Sequence, residues 1–148
     1  NRLKICTDLS HLNDKSFFGA IERADYPIAS HSNSREICPA PRNLTDEQLK
    51  LIGEKNGLIG LCFYPKFLGG NVFEKIYENI CRLGNLGLEN NIAIGSDFDG
   101  ADMPPELSDI SKVPDLYTYL EKRGISAETL KKIFYENAQN YFDKLSGI

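Results

Sequence analysis

Apolar positions along the chain fall into two patterns. Four short runs are nearly continuous in apolar or small residues: Leu3 to Leu9, Pro27 to Ser30, Gly57 to Tyr64 and Asn91 to Ser96. Such runs are expected of strands covered on both faces. Between and after them apolar residues recur at helical spacing, over Lys15 to Ala24, Asp46 to Lys55, Val72 to Leu86, Pro114 to Lys122, Ala127 to Tyr135 and Asn137 to Leu145. Asp14, Thr45 and Ser126 stand where N-caps belong, and Thr45-Asp46-Glu47-Gln48 has the form of a capping box. Val72, Ile76, Ile80 and Leu83 mark one apolar face. Strand and helix in alternation predict parallel strands with right-handed crossovers, in an open doubly wound sheet or part of a barrel.

Composition narrows the partners. The 148 residues suffice for one domain, with 41% hydrophobic and 26% charged residues. The formal net charge is −4 and the basic residues are scattered, which argues against nucleic acid and against a polybasic membrane patch. The longest apolar stretch, Leu58 to Tyr64, is far short of the ~20 residues that span a bilayer, and no signal pattern opens the chain. Cys6, Cys38, Cys62 and Cys81 form no CxxC pair; Cys6 and Cys62 lie in apolar runs and read as buried small hydrophobes, which favours a reducing, cytoplasmic setting. Asn43-Leu44-Thr45 has the form of a glycosylation triplet, a pattern that also arises by chance. No glycine-rich nucleotide-binding turn follows any strand. The chain opens at Asn1 and enters a strand-like run at once, so the expectation is a natural polypeptide that continues upstream.

The candidate chemistry sits where strands end. The only two histidines, His11 and His31, each fall just past a strand, and the fourth strand runs into Gly95-Ser96-Asp97-Phe98-Asp99-Gly100. In a parallel α/β fold the carboxyl ends of the strands share one rim, so His11, His31 and Asp97 are expected to converge. Two imidazoles and a carboxylate suit a borderline metal such as zinc, which lowers the pKa of a bound water. Asp97 could then hold metal or handle a proton. Taken singly, a histidine after a strand is more often a hydrogen-bonding surface residue, and Asp99 before glycine is a routine turn former. Arg42, in a proline-stiffened loop, either grips a carboxylate or pairs with a helix acid such as Asp46. Tyr64 either lends a hydroxyl to substrate or packs as an interfacial core residue.

As a set, Asp8-Leu9-Ser10-His11, Ala29-Ser30-His31-Ser32-Asn33, Cys38 to Glu47, Gly57 to Tyr64, Gly95 to Gly100 and Glu106 to Lys112, in that order, resemble the C-terminal half of the membrane (renal) dipeptidase family, peptidase family M19. The resemblance covers nearly the whole chain. It implies half of a (β/α)8 TIM-type barrel of the metal-dependent hydrolase kind, with residues 1–148 as a single C-terminal half-barrel unit supplying the last four strands. It also implies a two-zinc site hydrolysing dipeptides. Under it, His11 and His31 match two ligands of one zinc, Asp97 matches a ligand of the other that also serves proton transfer, and Arg42 matches the residue that binds the substrate carboxylate. Tyr64 falls in the family's aromatic patch. The family's His-x-Asp pair, its bridging glutamate and a further histidine have no counterpart here, so the resemblance implies a partner: an N-terminal half of the barrel, or a second copy of the chain. A non-catalytic remnant is the alternative. Cys62 stands where many members carry asparagine.

Overall fold

The computed structural model describes residues 2–147. Four short strands, β1 (Thr7–Asp8), β2 (Pro27–Ala29), β3 (Leu58–Leu61) and β4 (Ile92–Ile94), form one sheet in the order β1-β2-β3-β4, every pair parallel. The register runs Thr7 against Pro27, Ile28 against Leu58 and Ile59 against Ile92. Sequential order with a helical crossover after each strand is the unit of a (β/α)8 barrel, and four such units make half of one.

The strands are shorter than the apolar runs. β1 departs most: Leu3 and Ile5, expected inside a strand, are 70% and 65% exposed. Its ladder begins only at Thr7, whose N–H donates to the Tyr26 carbonyl, and the residues before it have no neighbouring strand to pair with among the described residues. The same open edge leaves Cys6 half-buried, against expectation, whereas Cys62 at the end of β3 is fully buried.

Helices α1 (Asp14–Arg23), α2 (Asp46–Glu54), α3 (Pro65–Leu68), α4 (Val72–Asn85), α5 (Val113–Lys122), α6 (Ala127–Lys131) and α7 (Asn137–Ser146) complete the described fold, with 3-10 turns at Pro105–Leu107 and Ile110–Lys112. The capping box at Thr45 forms as expected, and Ser126 caps α6. Asp14 does not cap α1: Asn13 does, its side chain accepting from the Ser16 N–H, and Asp14 is the first helical residue. The short α3 is not visible in the apolar pattern; proline at its first position and a left-handed Gly69 at its end define it. Residues expected as two final helices run continuously, because no glycine or proline interrupts Ala127 to Ser146, with a π-helical turn over Lys132–Glu136.

The core lies between sheet and helices. Ala29, Ile59, Leu61 and Ile92 are buried from the sheet, and Phe17, Ile52, Ile76, Leu83, Leu120 and Ile133 from the helices. Asn137, at the start of α7, donates to the Glu89 and Ile92 carbonyls and ties the last helix to the entry of β4. No described helix is long and apolar enough to cross a membrane. Because every strand pair is parallel, all four strands deliver their carboxyl ends to one rim.

Candidate metal and substrate site

His11 and His31 meet at that rim. Their Nε2 atoms are 2.8 Å apart, although one follows β1 and the other β2, and the rings tilt at 58°. Asp97, after β4, brings Oδ1 to 3.9 Å from His31 Nε2. Two of these residues occupy the left-handed backbone region, His11 at φ 67° and Asp97 at φ 73°. Side chains other than glycine pay for that conformation, and residues held there cluster at functional sites. The chain leaving each strand therefore turns sharply to aim these two side chains over the rim.

A polar relay lies under the histidines. Asp8 Oδ1 accepts from the backbone N–H of Ser10 (3.0 Å) and of Ser30 (3.1 Å), and Oδ2 accepts from the Ser30 hydroxyl at 2.5 Å. Ser30 Oγ is in turn 2.7 Å from His31 Nδ1, and the His31 N–H donates to Ser10 Oγ. Burial pushes the Asp8 carboxyl up, but the bonds from Ser30 and Ser10 and the charge of His31 outweigh it and hold the group below the usual carboxylate range. His11 is held below the ordinary imidazole value, first by burial and then by the positive charges of Arg42 and His31, against the opposing pull of Asp97 and Asp8. Neutral imidazole is the form that binds metal.

Arg42 does not pair with Asp46, which is bonded to Arg82. Its guanidinium lies 5.3 Å from the centre of the Phe67 ring, and its Nε and Nη2 are buried without a hydrogen-bond partner. Burial lowers its pKa, while Cys62, Asp97 and Asp8 pull the other way. The loop that carries it is fixed on both sides. Asn43 donates to the carbonyls of Cys38 and Phe67, and Arg35 binds the Asn43 and Pro41 carbonyls while gripping both oxygens of Asp14. Asn33 ties β3 to the same loop through the N–H and carbonyl of Cys62 and the carbonyl of Phe67. Because Asn43 is 1% exposed with its amide committed, the glycosylation triplet is no acceptor in the folded chain.

A cleft of about 460 Å³ opens on the rim, lined by His11, Tyr64, Phe67, Asp97 and the Asp99 to Asp102 turn. Tyr64 packs edge-on against Phe67 at 4.9 Å and stays half-buried on the wall of the cleft. The structure thus brings His11, His31 and Asp97 together, sets Tyr64 on the cleft wall, and places Arg42 behind Phe67. Asp8, Ser30, Asn33 and Phe67 were not singled out by the sequence, although Asp8 and Ser30 sit within three residues of a histidine in the motifs quoted for it. Among the described residues no three His, Cys, Asp or Glu side chains form a complete metal-binding group.

Parallel strands in sequential order, with imidazoles and a carboxylate gathered on the carboxyl rim, define half of a barrel of the metal-dependent hydrolase class. Residues 1–146 match the model of the membrane dipeptidase family, peptidase family M19, and the chain belongs to that family. It superposes on the crystal structure of dipeptidase AC, an M19 metallopeptidase, with a TM-score of 0.93 and 34% identity, covering 100% of this chain and 46% of that one. A metallopeptidase of Rhodobacter sphaeroides, solved with a phosphinate mimic of the dipeptide L-Ala-D-Ala, gives 0.91 and 34% over 97% of this chain and 43% of that one. Among curated proteins, one from the pqqA 5′ region of Klebsiella pneumoniae is 37% identical, over 93% of this chain and 54% of its own length. An uncharacterised dipeptidase of Schizosaccharomyces pombe is 35% identical, over 93% and 35% respectively. The chain therefore spans about half, or less, of the relatives it matches.

Proposed function

We propose that this chain is the C-terminal half-barrel of a zinc-dependent dipeptidase, supplying barrel strands five to eight, and that it acts only with an N-terminal half or a second copy completing the metal site. The carrying observation is the 2.8 Å approach of the His11 and His31 Nε2 atoms with Asp97 on the same rim. Two imidazole nitrogens this close on one rim would hold a single zinc ion after a small opening of the pair. The donor set, two imidazoles and a carboxylate, fits zinc. The family resemblance and the dipeptide mimic bound to the Rhodobacter sphaeroides relative support a dipeptide as substrate.

In this reading His11 and His31 would hold one zinc, and Asp97 would serve the second. A zinc ion held by these residues would supply a Lewis acid and lower the pKa of a bound water toward neutrality. Asp97 takes up the proton that the attacking water loses and returns it to the leaving amine. Arg42, stacked on Phe67 with Nε and Nη2 buried and unpartnered, would bind the C-terminal carboxylate of the substrate once the Phe67 ring moves aside to uncover it. Tyr64 closes the cleft wall next to the substrate side chain. A cytoplasmic location belongs to the same proposal, supported by four unpaired cysteines.

The test is to assay dipeptide hydrolysis and zinc content for the chain alone and for the chain joined to the N-terminal half of a full-length relative. Activity and retained zinc only in the joined protein, abolished by His31→Ala, is the expected result. Hydrolysis by the chain alone would overturn the need for a partner. Absence of both zinc and activity in every pairing would make the chain a non-catalytic remnant.

A further inference from the structure

The orientation of His31 is set by a proton count. Asp8 is ionised and can only accept; its Oδ1 takes two backbone N–H groups and its Oδ2 takes the Ser30 hydroxyl proton. A serine hydroxyl has one hydrogen. With that hydrogen spent on Asp8, the 2.7 Å contact between Ser30 Oγ and His31 Nδ1 has one polarity left: Nδ1–H donates and Oγ accepts. In a neutral imidazole the proton on Nδ1 leaves Nε2 bare. Nε2 is the atom turned to the rim, 2.8 Å from His11 and 3.9 Å from Asp97. The backbone N–H of His31 is separately anchored on Ser10 Oγ, so ring and main chain are both held.

We infer that Asp8 and Ser30 are positioning residues that lock His31 in the Nδ1–H tautomer and present the lone pair of Nε2 to the metal. The inference rests on the reading of His31 as a ligand and deepens it. The charge is relayed through an intervening hydroxyl: a carboxylate three residues before His11, on β1, governs the proton of the histidine that follows β2. Outer partners of this kind fix ligand tautomers and typically contribute 10–100-fold in metal affinity. His11, whose one contact at the pair is Nε2 to Nε2, then serves as the donor to His31 in the metal-free chain; binding metal through the same atom would require its proton to move, through solvent, to its own Nδ1.

An isosteric change separates this role from a merely structural one. Asp8→Asn keeps Oδ1 for the two backbone N–H groups and puts an amide NH2 where Oδ2 accepted. The reverse amide orientation would set NH2 against two backbone donors and is disfavoured. The amide then donates to Ser30 Oγ, the Ser30 hydroxyl turns its hydrogen to His31 Nδ1, and the imidazole proton moves to Nε2, where it blocks the metal. Ser30→Ala removes the relay without reversing it, and Ser30→Thr keeps the hydroxyl.

The experiment is a long-range proton–nitrogen NMR correlation on the zinc-free chain with labelled histidine, which reads the protonated ring nitrogen of His31 directly. Circular dichroism monitors the fold, and zinc affinity is measured on the chain joined to its N-terminal half. The expected results are Nδ1–H in the wild type and Ser30→Thr, Nε2–H in Asp8→Asn, a mixture in Ser30→Ala, and zinc affinity lowered about 10–100-fold in Asp8→Asn. Nε2–H in the wild type, an unchanged tautomer in a folded Asp8→Asn, or an inverted tautomer with unchanged zinc affinity would each overturn the inference. If the tautomers behave as expected and the wild type still binds no zinc, the tautomer lock stands and the metal reading is what fails.

Discussion

A Cβ on Gly95 would stand 2.1 Å from the carbonyl oxygen of Ser30, closer than any real side-chain contact. The same oxygen would lie 2.2 Å from a Cβ on Gly60, so the end of β2 is clamped between two glycines, one on β3 and one just after β4. This is the physical reason for glycine at the head of the Gly95-Ser96-Asp97 turn. Ser30 also carries the hydroxyl that faces His31, and at Gly60 and Gly95 nothing larger than hydrogen fits against its backbone carbonyl.

Gly95→Ala is therefore expected to act at a distance from its own small volume. The atoms it meets are backbone on both sides and cannot rotate away, so the cost should be about 1–3 kcal/mol, the range for overpacking. Urea denaturation of the chain reads this as a lower midpoint with an unchanged slope. A variant as stable as the wild type would mean that the sheet opens more easily than its packing implies.

Arg42 should trade stability against binding. Two of its nitrogens are buried without a partner, and an unsatisfied buried donor costs about 1–3 kcal/mol. Arg42→Met keeps the contact with Phe67 and removes those donors, so the chain should become more stable. In the protein joined to its N-terminal half the same variant should raise KM for dipeptides at least tenfold while affecting kcat less. Thermal melting together with steady-state kinetics checks both signs. Loss of stability, or an unchanged KM, would remove Arg42 from the role of carboxylate anchor.

Cys62 should be inert where an ordinary thiol reacts. Burial pushes its pKa up to about 11, and the side chain is fully buried at the end of β3. The nucleophile is the thiolate, so alkylation by iodoacetamide in the native state at pH 8 should be slow at Cys62 and should accelerate only as the pH nears 11 or the chain unfolds. The sign follows from linkage. Below the ordinary thiol value both folded and unfolded chains keep the proton, and no stability depends on it. Above that value the unfolded chain loses it first, so stability falls as pH rises toward the folded value. Mass spectrometry of the modified peptides resolves this position from the half-buried Cys6 and Cys81.

The parts of the structure legible in the sequence were those written in apolar periodicity. Continuous runs marked β2, β3 and β4 because both faces are covered, and the end of each strand located His31 and Asp97 on one rim. β1 is shorter than its apolar run: Leu3 and Ile5 have strand-like residue types but pair with no strand among the described residues, and residue type alone does not encode pairing. The relay through Asp8 and Ser30 was hidden for a different reason. It depends on which polar atoms face each other across β1 and β2, a matter of register that apolar spacing does not encode. Arg42 was placed in its loop, but its stacking on Phe67 follows from the short helix Pro65–Leu68, which is announced only by one proline and one glycine.

His11 and His31, with Nε2 atoms 2.8 Å apart, are placed to share one metal ion. Zinc content of the chain joined to its N-terminal half, measured after exhaustive dialysis for the wild type, His11→Ala, His31→Ala and the double variant, tests it most directly. Each single variant should lose the same portion of the bound zinc, and the double variant should lose no more than either. Wild-type zinc in the single variants, or losses that add in the double, would contradict a shared site.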